Sequence, residues 1–128
     1  MAGVARVQHV SIPMPPSGHA AARSFFVTAL GLEEKAAPAS LGPGLIWFQA
    51  GSEGQEIHLY EDERFGESLP GQHLCLEVDD LAALRRRLES HGLNIEEAIA
   101  IPNRPRCFAR DPFGNLIEFT QILGDYSK

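Results

Sequence analysis

Four side chains able to bind a metal ion recur at matching places in the two halves of the sequence. His9 and His73 each follow a glutamine and precede an apolar residue, in Gln-His-Val and Gln-His-Leu. His58 and Glu118 come later in each half, inside short apolar segments. Three imidazoles and one carboxylate suit a borderline ion such as Zn, Ni, Co, Fe or Mn better than Ca or Mg. The pattern therefore predicts a divalent transition-metal site, with one or two positions left for water or substrate.

The two halves also agree in the order of their predicted elements. Each half opens with a strand, continues with a helix and ends with two or three strands. Phe48 precedes His58 by ten residues and Phe108 precedes Glu118 by ten residues, with a turn in the middle of each segment. Such self-similarity indicates an internal repeat. We therefore expect the two histidines that follow glutamine to be equivalent, and His58 to be equivalent to Glu118.

Alternation along the predicted strands separates the candidate ligands from the core. Residues that are neighbours in a strand point to opposite faces, so apolar neighbours place a ligand on the other face. Two amphipathic helices are available to cover the apolar face, and the ligand face is polar enough to enclose a pocket. A set of half-exposed histidines in a sheet is the alternative interpretation, but four residues in repeat register favour the metal. The apolar neighbours are Val10, Ile57, Leu59, Leu74, Ile117 and Phe119.

Turn and cap residues delimit the elements that must position these side chains. The first helix is predicted from Ser17, as N-cap, to about Leu30, and the second begins at Asp79 or Asp80 and ends at Gly92. Asp111-Pro-Phe-Gly-Asn115 is predicted to form a tight turn before the last strand. Charged and glycine-rich loops cover residues 31–44 and 61–70. The predicted strands are residues 4–12, 45–50, 55–61, 72–78, 94–101, 106–110 and 116–121.

These boundaries predict one α+β domain, residues 1–128, with module one at about 4–61 and module two at about 71–122. A net charge of −6 without a basic cluster argues against a nucleic-acid partner. The apolar segments are too short to span a membrane. Because no signal peptide is evident, we expect a cytoplasmic protein in which Cys75 and Cys107 are free thiols.

The sequence resembles the vicinal oxygen chelate superfamily, which includes glyoxalase I, fosfomycin and bleomycin resistance proteins, methylmalonyl-CoA epimerase and extradiol dioxygenases. The resemblance extends from Val7 to Gln121. It implies two βαβββ modules that form an incomplete eight-stranded barrel around a metal and ligand cavity. It also implies a homodimer in which modules of two chains share each site. The segments that carry it are Gln8-His9-Val10, His73-Leu-Cys-Leu-Glu-Val-Asp-Asp-Leu81 and Asp111-Pro-Phe-Gly-Asn115 followed by Glu118.

The same resemblance implies the site and its chemistry. The metal ligands would be His9, His58, His73 and Glu118, with Glu118 also the catalytic base. The expected reaction is that of a glyoxalase-like lyase or isomerase on a small substrate with vicinal oxygens, through a metal-stabilised enediolate. His58 stands where the glyoxalase I pattern usually has a glutamate. Glu56, two residues earlier on the same predicted face, is an alternative carboxylate.

Two other functions remain open at the level of sequence. A protein that binds or sequesters a small molecule without a metal could use the same cavity. A non-haem iron dioxygenase ranks third, since His9, His73 and Glu118 alone match a two-histidine, one-carboxylate site. The candidate substrate contacts are Arg106, which could grip a carboxylate or protect an edge strand, together with Trp47, which could instead be packing, and Tyr60.

Overall fold

The computed structural model describes residues 2–127, which form two four-stranded sheets of matching design. No helix among these residues is long and apolar enough to cross a membrane. Module one contains strands β1 (His9–Met14), β2 (Glu33–Lys35), β3 (Leu45–Gln49) and β4 (Glu56–Glu61), with a helix that runs as α-helix α1 (His19–Arg23) and then as a π-helical segment (Ser24–Ala29). A 3-10 turn at Ala39–Leu41 precedes β3. Module two contains β5 (Leu74–Glu77), helix α2 (Leu81–Ser90), β6 (Glu96–Glu97), β7 (Arg106–Arg110) and β8 (Leu116–Thr120).

The strand order confirms the repeat. It is β1-β4-β3-β2 in one sheet and β5-β8-β7-β6 in the other, and the first and last strands of each module pair in parallel. A parallel pair needs a crossover, which the helix and the antiparallel hairpin between the two strands provide. The predicted α+β class with two βαβββ modules is therefore confirmed, and within residues 2–127 the two sheets do not close on each other.

Both helices lie on the apolar faces of the sheets. Phe25, Phe26 and Ala29 are buried on the first helix, and Leu81 and Leu88 are buried on the second. These side chains join the inward residues of both sheets in one hydrophobic cluster. Its largest fully buried members are Phe26, Phe48, Phe119, Met14, Ile57, Leu59, Leu88, Ile117 and Cys107. Cys75 is exposed, and both cysteines are free, as predicted.

Several predicted boundaries are wrong. Gly18, not Ser17, is the N-cap of the first helix, because Ser17 has a left-handed φ of 68° and no side-chain cap forms. The predicted cap of the second helix, at Asp79 or Asp80, is confirmed for Asp80, which accepts a hydrogen bond of 3.0 Å from the Ala83 amide. The first strand begins only at His9, and the strand predicted at 94–101 shrinks to Glu96–Glu97.

Strand β2 was not predicted, because Glu33-Glu34-Lys35 is polar and exposed throughout and shows no apolar alternation. Its pairing with β3 is what holds it in the sheet. The pairing brings Lys35 opposite Trp47, close to one of the candidate ligands.

A buried turn ties module two to module one. Asp111 Oδ1 accepts hydrogen bonds of 2.9 Å from the amides of Phe113 and Asn115, and its Oδ2 accepts one of 2.7 Å from Asn115 Nδ2. Asn115 Nδ2 also donates, at 3.0 Å, to the carbonyl of Pro13 in β1. Gly114 has φ +95°, and a Cβ there would lie 2.9 Å from the backbone of Glu67. The turn therefore also packs against the loop between the modules.

Replacing Asn115 with Ala should lower the free energy of unfolding by about 1–3 kcal/mol, because the buried Asp111 carboxylate and the Pro13 carbonyl lose a donor. Burial raises the pKa of the Asp111 carboxyl, while the Asn115 side chain lowers it. In the variant the Asp111 carboxyl therefore binds a proton at higher pH than in the parent, so the loss in free energy of unfolding should be smaller at about pH 4 than at about pH 7. Urea denaturation at both pH values measures this loss. The exposed Asn94→Ala serves as control, and an equal loss in both variants would contradict the expectation.

Candidate metal centre

Strand pairing in module one places His9 beside His58. In the parallel β1–β4 pair, His58 lies opposite Ser11, the residue two positions after His9. The two imidazole rings stack with centroids 4.0 Å apart and planes tilted by 18°. Trp47, opposite His58 on β3, stacks on the other face of His58 at 3.6 Å with a tilt of 2°. His58 is therefore enclosed between two rings and only 8% exposed.

Module two repeats this placement with a different outcome. Glu118 lies opposite Cys75, two positions after His73, so the offset equals that of the first pair. Here the two side chains are in direct contact, with 3.0 Å between His73 Nε2 and Glu118 Oε1. The predicted equivalence of His58 and Glu118 follows directly from this matching register.

The strand register shows that the predicted match of Phe48 with Phe108 is wrong. Phe108 lies opposite Glu118, but the residue opposite His58 is Trp47, because the first hairpin is one residue longer. Phe48 instead faces the core and is fully buried. Trp47 and Phe108 are therefore the equivalent aromatic residues, and both flank the ligand pair of their own module, with the Phe108 ring 5.2 Å from His73.

Hydrogen bonds determine which nitrogen of His9 is free. Gln8 Nε2 donates to the Gly54 carbonyl at 3.1 Å, which leaves Gln8 Oε1 to accept from His9 Nδ1 at 2.7 Å. With the proton on Nδ1, Nε2 carries the lone pair. Metal-binding histidines commonly have this arrangement, in which an oxygen acceptor fixes the ring and its tautomer.

His73 is anchored through the same nitrogen. Its Nδ1 donates to the Gly71 carbonyl at 2.8 Å, so its Nε2 is the atom that faces Glu118. A contact between this nitrogen and a carboxylate oxygen is attractive only when a cation lies between their lone pairs. A proton on Nε2 satisfies that condition, and a metal ion ligated by both atoms would take its place.

The Glu118 carboxylate is held in its ionised form. Thr120 Oγ1 donates to its Oε2 at 2.6 Å, and Arg106 Nη1 lies 3.4 Å from the same oxygen. Partial burial alone would raise the pKa of this carboxyl, but the Thr120 hydrogen bond, the charge of Arg106 and the contact with His73 outweigh it and lower the pKa. Cys75 Sγ lies 3.4 Å from Thr120 Oγ1, and burial raises the pKa of this thiol, so it stays protonated.

The two ligand pairs do not meet within one chain. Among residues 2–127, no three side chains of His, Cys, Asp or Glu lie close enough together to hold one metal ion. The donor chemistry of His9, His73 and Glu118 suits a transition metal, since both imidazoles present an anchored Nε2 and the carboxylate is ionised. Within the described residues these donors therefore lie in two separate groups, one in each module.

Of the three predicted substrate contacts, two touch candidate ligand residues. Arg106 contacts Glu118 and is fixed by two donations to the Ile99 carbonyl, at 3.2 and 2.9 Å. Trp47 stacks on His58, and Tyr60 is half-buried, opposite Leu45 and two positions after His58 on β4.

Thr120 and Gln8 were not predicted as site residues, and Glu56 was predicted only as an alternative carboxylate. Period-two spacing could have identified Thr120 and Glu56, since each lies two residues from a candidate ligand. Lys35 could not have been found, because its strand was not predicted.

Arg106→Leu should raise the pKa of the Glu118 carboxyl, because the variant removes a positive charge 3.4 Å away. A lowered carboxyl pKa adds stability that is present at neutral pH and lost as the pH falls through that pKa. The variant should therefore lose stability at neutral pH and little in strong acid. Carbon-13 NMR titration of the metal-free protein measures the pKa. Arg106→Lys should keep most of the lowering of the Glu118 pKa. An unchanged Glu118 pKa in the leucine variant would refute the role given to Arg106.

Comparison with known families gives one match over most of the chain. The model of the Glyoxalase/Bleomycin resistance protein/Dioxygenase superfamily matches residues 6–119. No curated protein matches.

Several solved structures are similar. A protein from Bacillus anthracis described as a glyoxalase family member has 28% identity and a TM-score of 0.87, covering 95% of this chain and 98% of its own. TnmS3, an antibiotic binding protein from Streptomyces sp. CB03234, has 28% identity and a TM-score of 0.66 with the same coverage. Lactoylglutathione lyase from Agrobacterium tumefaciens has 21% identity and a TM-score of 0.69, covering 92% of this chain and 94% of its own, and shares the fold.

Proposed function

The chain belongs to the Glyoxalase/Bleomycin resistance protein/Dioxygenase superfamily, and within it we propose a metal-dependent lyase or isomerase acting on a small substrate with vicinal oxygens. The observation that carries the proposal is the shared anchoring of His9 and His73. Each ring donates its Nδ1 proton to an oxygen acceptor, which leaves Nε2 as the nitrogen available to a ligand. This is the arrangement that commonly orients metal-binding histidines.

The proposed ligands are His9, His73 and Glu118, with His58 beside them. A divalent ion held by this set would act as a Lewis acid on the two substrate oxygens. Glu118 would accept the proton from one of the two adjacent carbons that carry these oxygens, since Thr120 and Arg106 keep its carboxylate ionised. Thr120 also fixes the carboxylate by donating to Oε2, which leaves Oε1 directed at His73.

The proposed site lies between two chains. Within one chain each module supplies only half of the ligands, and no three candidate donors among residues 2–127 converge. A homodimer in which module one of one chain faces module two of the other would unite His9 with His73 and Glu118. Two chains would then form two identical sites.

Calorimetric titration with Ni²⁺, Zn²⁺ and Co²⁺ should give one metal per chain. His73→Ala and Glu118→Gln should weaken binding by at least about 10- to 100-fold, because each removes a ligand. His91→Ala is the matched control. His91 caps the end of α2, so this variant protein should bind metal with the affinity of the parent. Equal affinity in all four proteins would refute the metal site.

Mixing two variants distinguishes a shared site from a site within one chain. A dimer of one His9→Ala chain and one Glu118→Gln chain has one intact site if modules of different chains combine, and none if each chain builds its own. Unfolding and refolding the mixture should therefore restore tight metal binding that neither variant has alone. No restoration, with mixed dimers confirmed by mass spectrometry, would refute the shared arrangement.

A second function, metal-independent binding of a small molecule, has its own support. The Glu118 carboxylate already has three partners within its module: Thr120, His73 and Arg106. A groove of about 220 Å³ beside His73 is lined by Phe108 and Arg110 together with Glu96 and Glu97, and Arg110 Nε lies 3.9 Å from Glu96 Oε2. Similarity to an antibiotic binding protein points in the same direction.

This second function predicts binding that a chelator does not affect. A planar aromatic carboxylate such as naphthoate should bind by contacting Phe108 and replacing Glu96 as the partner of Arg110. Arg110→Leu should therefore weaken its binding by about tenfold, the effect of one charge-assisted contact. Equilibrium dialysis with and without EDTA measures this affinity, with the solvent-exposed Arg86→Leu as control. Loss of naphthoate binding in the presence of EDTA would exclude metal-independent binding.

A further inference from the structure

From the ring geometry we infer that His58 does not ligate the metal but positions the His9 ring that does. The inference rests on the proposed metal site and assigns a role within it. Three observations support it: the planes of the stacked rings, the hydrogen bonds of His58, and the enclosure of its faces.

The ring planes exclude a shared ion. A metal–imidazole bond lies in the plane of the ring and is about 2.0–2.1 Å long. The planes of His9 and His58 are tilted by only 18° with centroids 4.0 Å apart, so they meet only on the order of 10 Å away, far beyond bonding distance. An ion in the plane of His9 is therefore out of the plane of His58.

Hydrogen bonding fixes His58 in this orientation. Its Nε2 donates to Glu56 Oε1 at 2.8 Å, whereas the two proposed ligand histidines are anchored through Nδ1. Glu56 is held in turn by Lys35 Nζ, 2.7 Å from its Oε2. These contacts join β2 to β4, and the His58 ring cannot rotate without breaking its hydrogen bond to Glu56.

Both faces of the His58 ring are covered by other rings. Trp47 covers one face at 3.6 Å and His9 covers the other at 4.0 Å. His9 lies on an edge strand and is exposed, so its ring is oriented by the stack on His58 together with the Gln8 hydrogen bond. His58 thus acts through His9 as a positioning residue, itself held by Trp47 and Glu56. Three residues, His9, His73 and Glu118, would then hold the metal, and positions would remain for the two substrate oxygens.

Two substitutions at one position separate the roles. His58→Phe keeps a flat ring but removes both nitrogens, and His58→Ala removes the ring as well. If His58 positions His9, the phenylalanine variant should bind Ni²⁺ within about threefold of the parent, and the alanine variant should lose about tenfold, as loss of an outer-shell partner typically does. His9→Ala should lose more than either.

Two other results would overturn the inference. Equal, large losses in both His58 variants would make His58 a ligand, and unchanged affinity in both would leave it without a role at His9. Thermal unfolding followed by circular dichroism confirms that each variant is folded.

A second readout needs no metal and so separates this inference from the proposed function. In metal-free protein the carbon-bound ring protons of His9 should show a ring-current shift in NMR spectra, because the ring stacks on an aromatic neighbour. The shift should persist in His58→Phe and disappear in His58→Ala. If the parent protein binds no metal and this pattern holds, the proposed metal site fails while the positioning contact stands; no shift in the parent would overturn the contact itself.

Discussion

Parallel pairing of the first and last strand in each module is the constraint on which the site depends. Two adjacent parallel strands cannot be joined by a tight turn, so a helix and a hairpin must lie between them. The pairing also fixes the register, and in both modules the later candidate ligand lies opposite the residue two positions after the histidine. Each pair of candidate ligands is therefore distant in sequence and adjacent in space. Helices on the opposite face bury the apolar neighbours and keep this register from slipping.

With the same register, the two modules differ in what their side chains do. In module one, His58 stacks between His9 and Trp47, so ring contacts dominate the interaction. In module two, an imidazole and a guanidinium surround a carboxylate, so the interaction is electrostatic. The same backbone thus presents a preformed aromatic support in one half and an ionised acid in the other. A site that drew on both halves would combine a fixed ligand with a proton acceptor.

Much of this arrangement could be predicted from the sequence, since it follows from strand periodicity and from the repeat. Alternation placed Ile57 and Ile117 in the core and their neighbours on the opposite face, and the structure agrees. The sequence could not show that Trp47 rather than Phe48 faces His58, because hairpins of different length look alike when aligned on one residue type. Nor could it show β2, whose residues have no apolar pattern and are ordered only by pairing with β3. The Lys35–Glu56–His58 contacts depend on that strand and were missed with it.

The indole stacked on His58 belongs to Trp47, the single tryptophan of the chain. All of the tryptophan fluorescence of the chain therefore originates 3.6 Å from one imidazole of the candidate site, in module one. Module two has a phenylalanine at the equivalent position and contributes no tryptophan emission. The one-residue difference between the hairpins thus gives the molecule an intrinsic probe for one half of its site, without any added label.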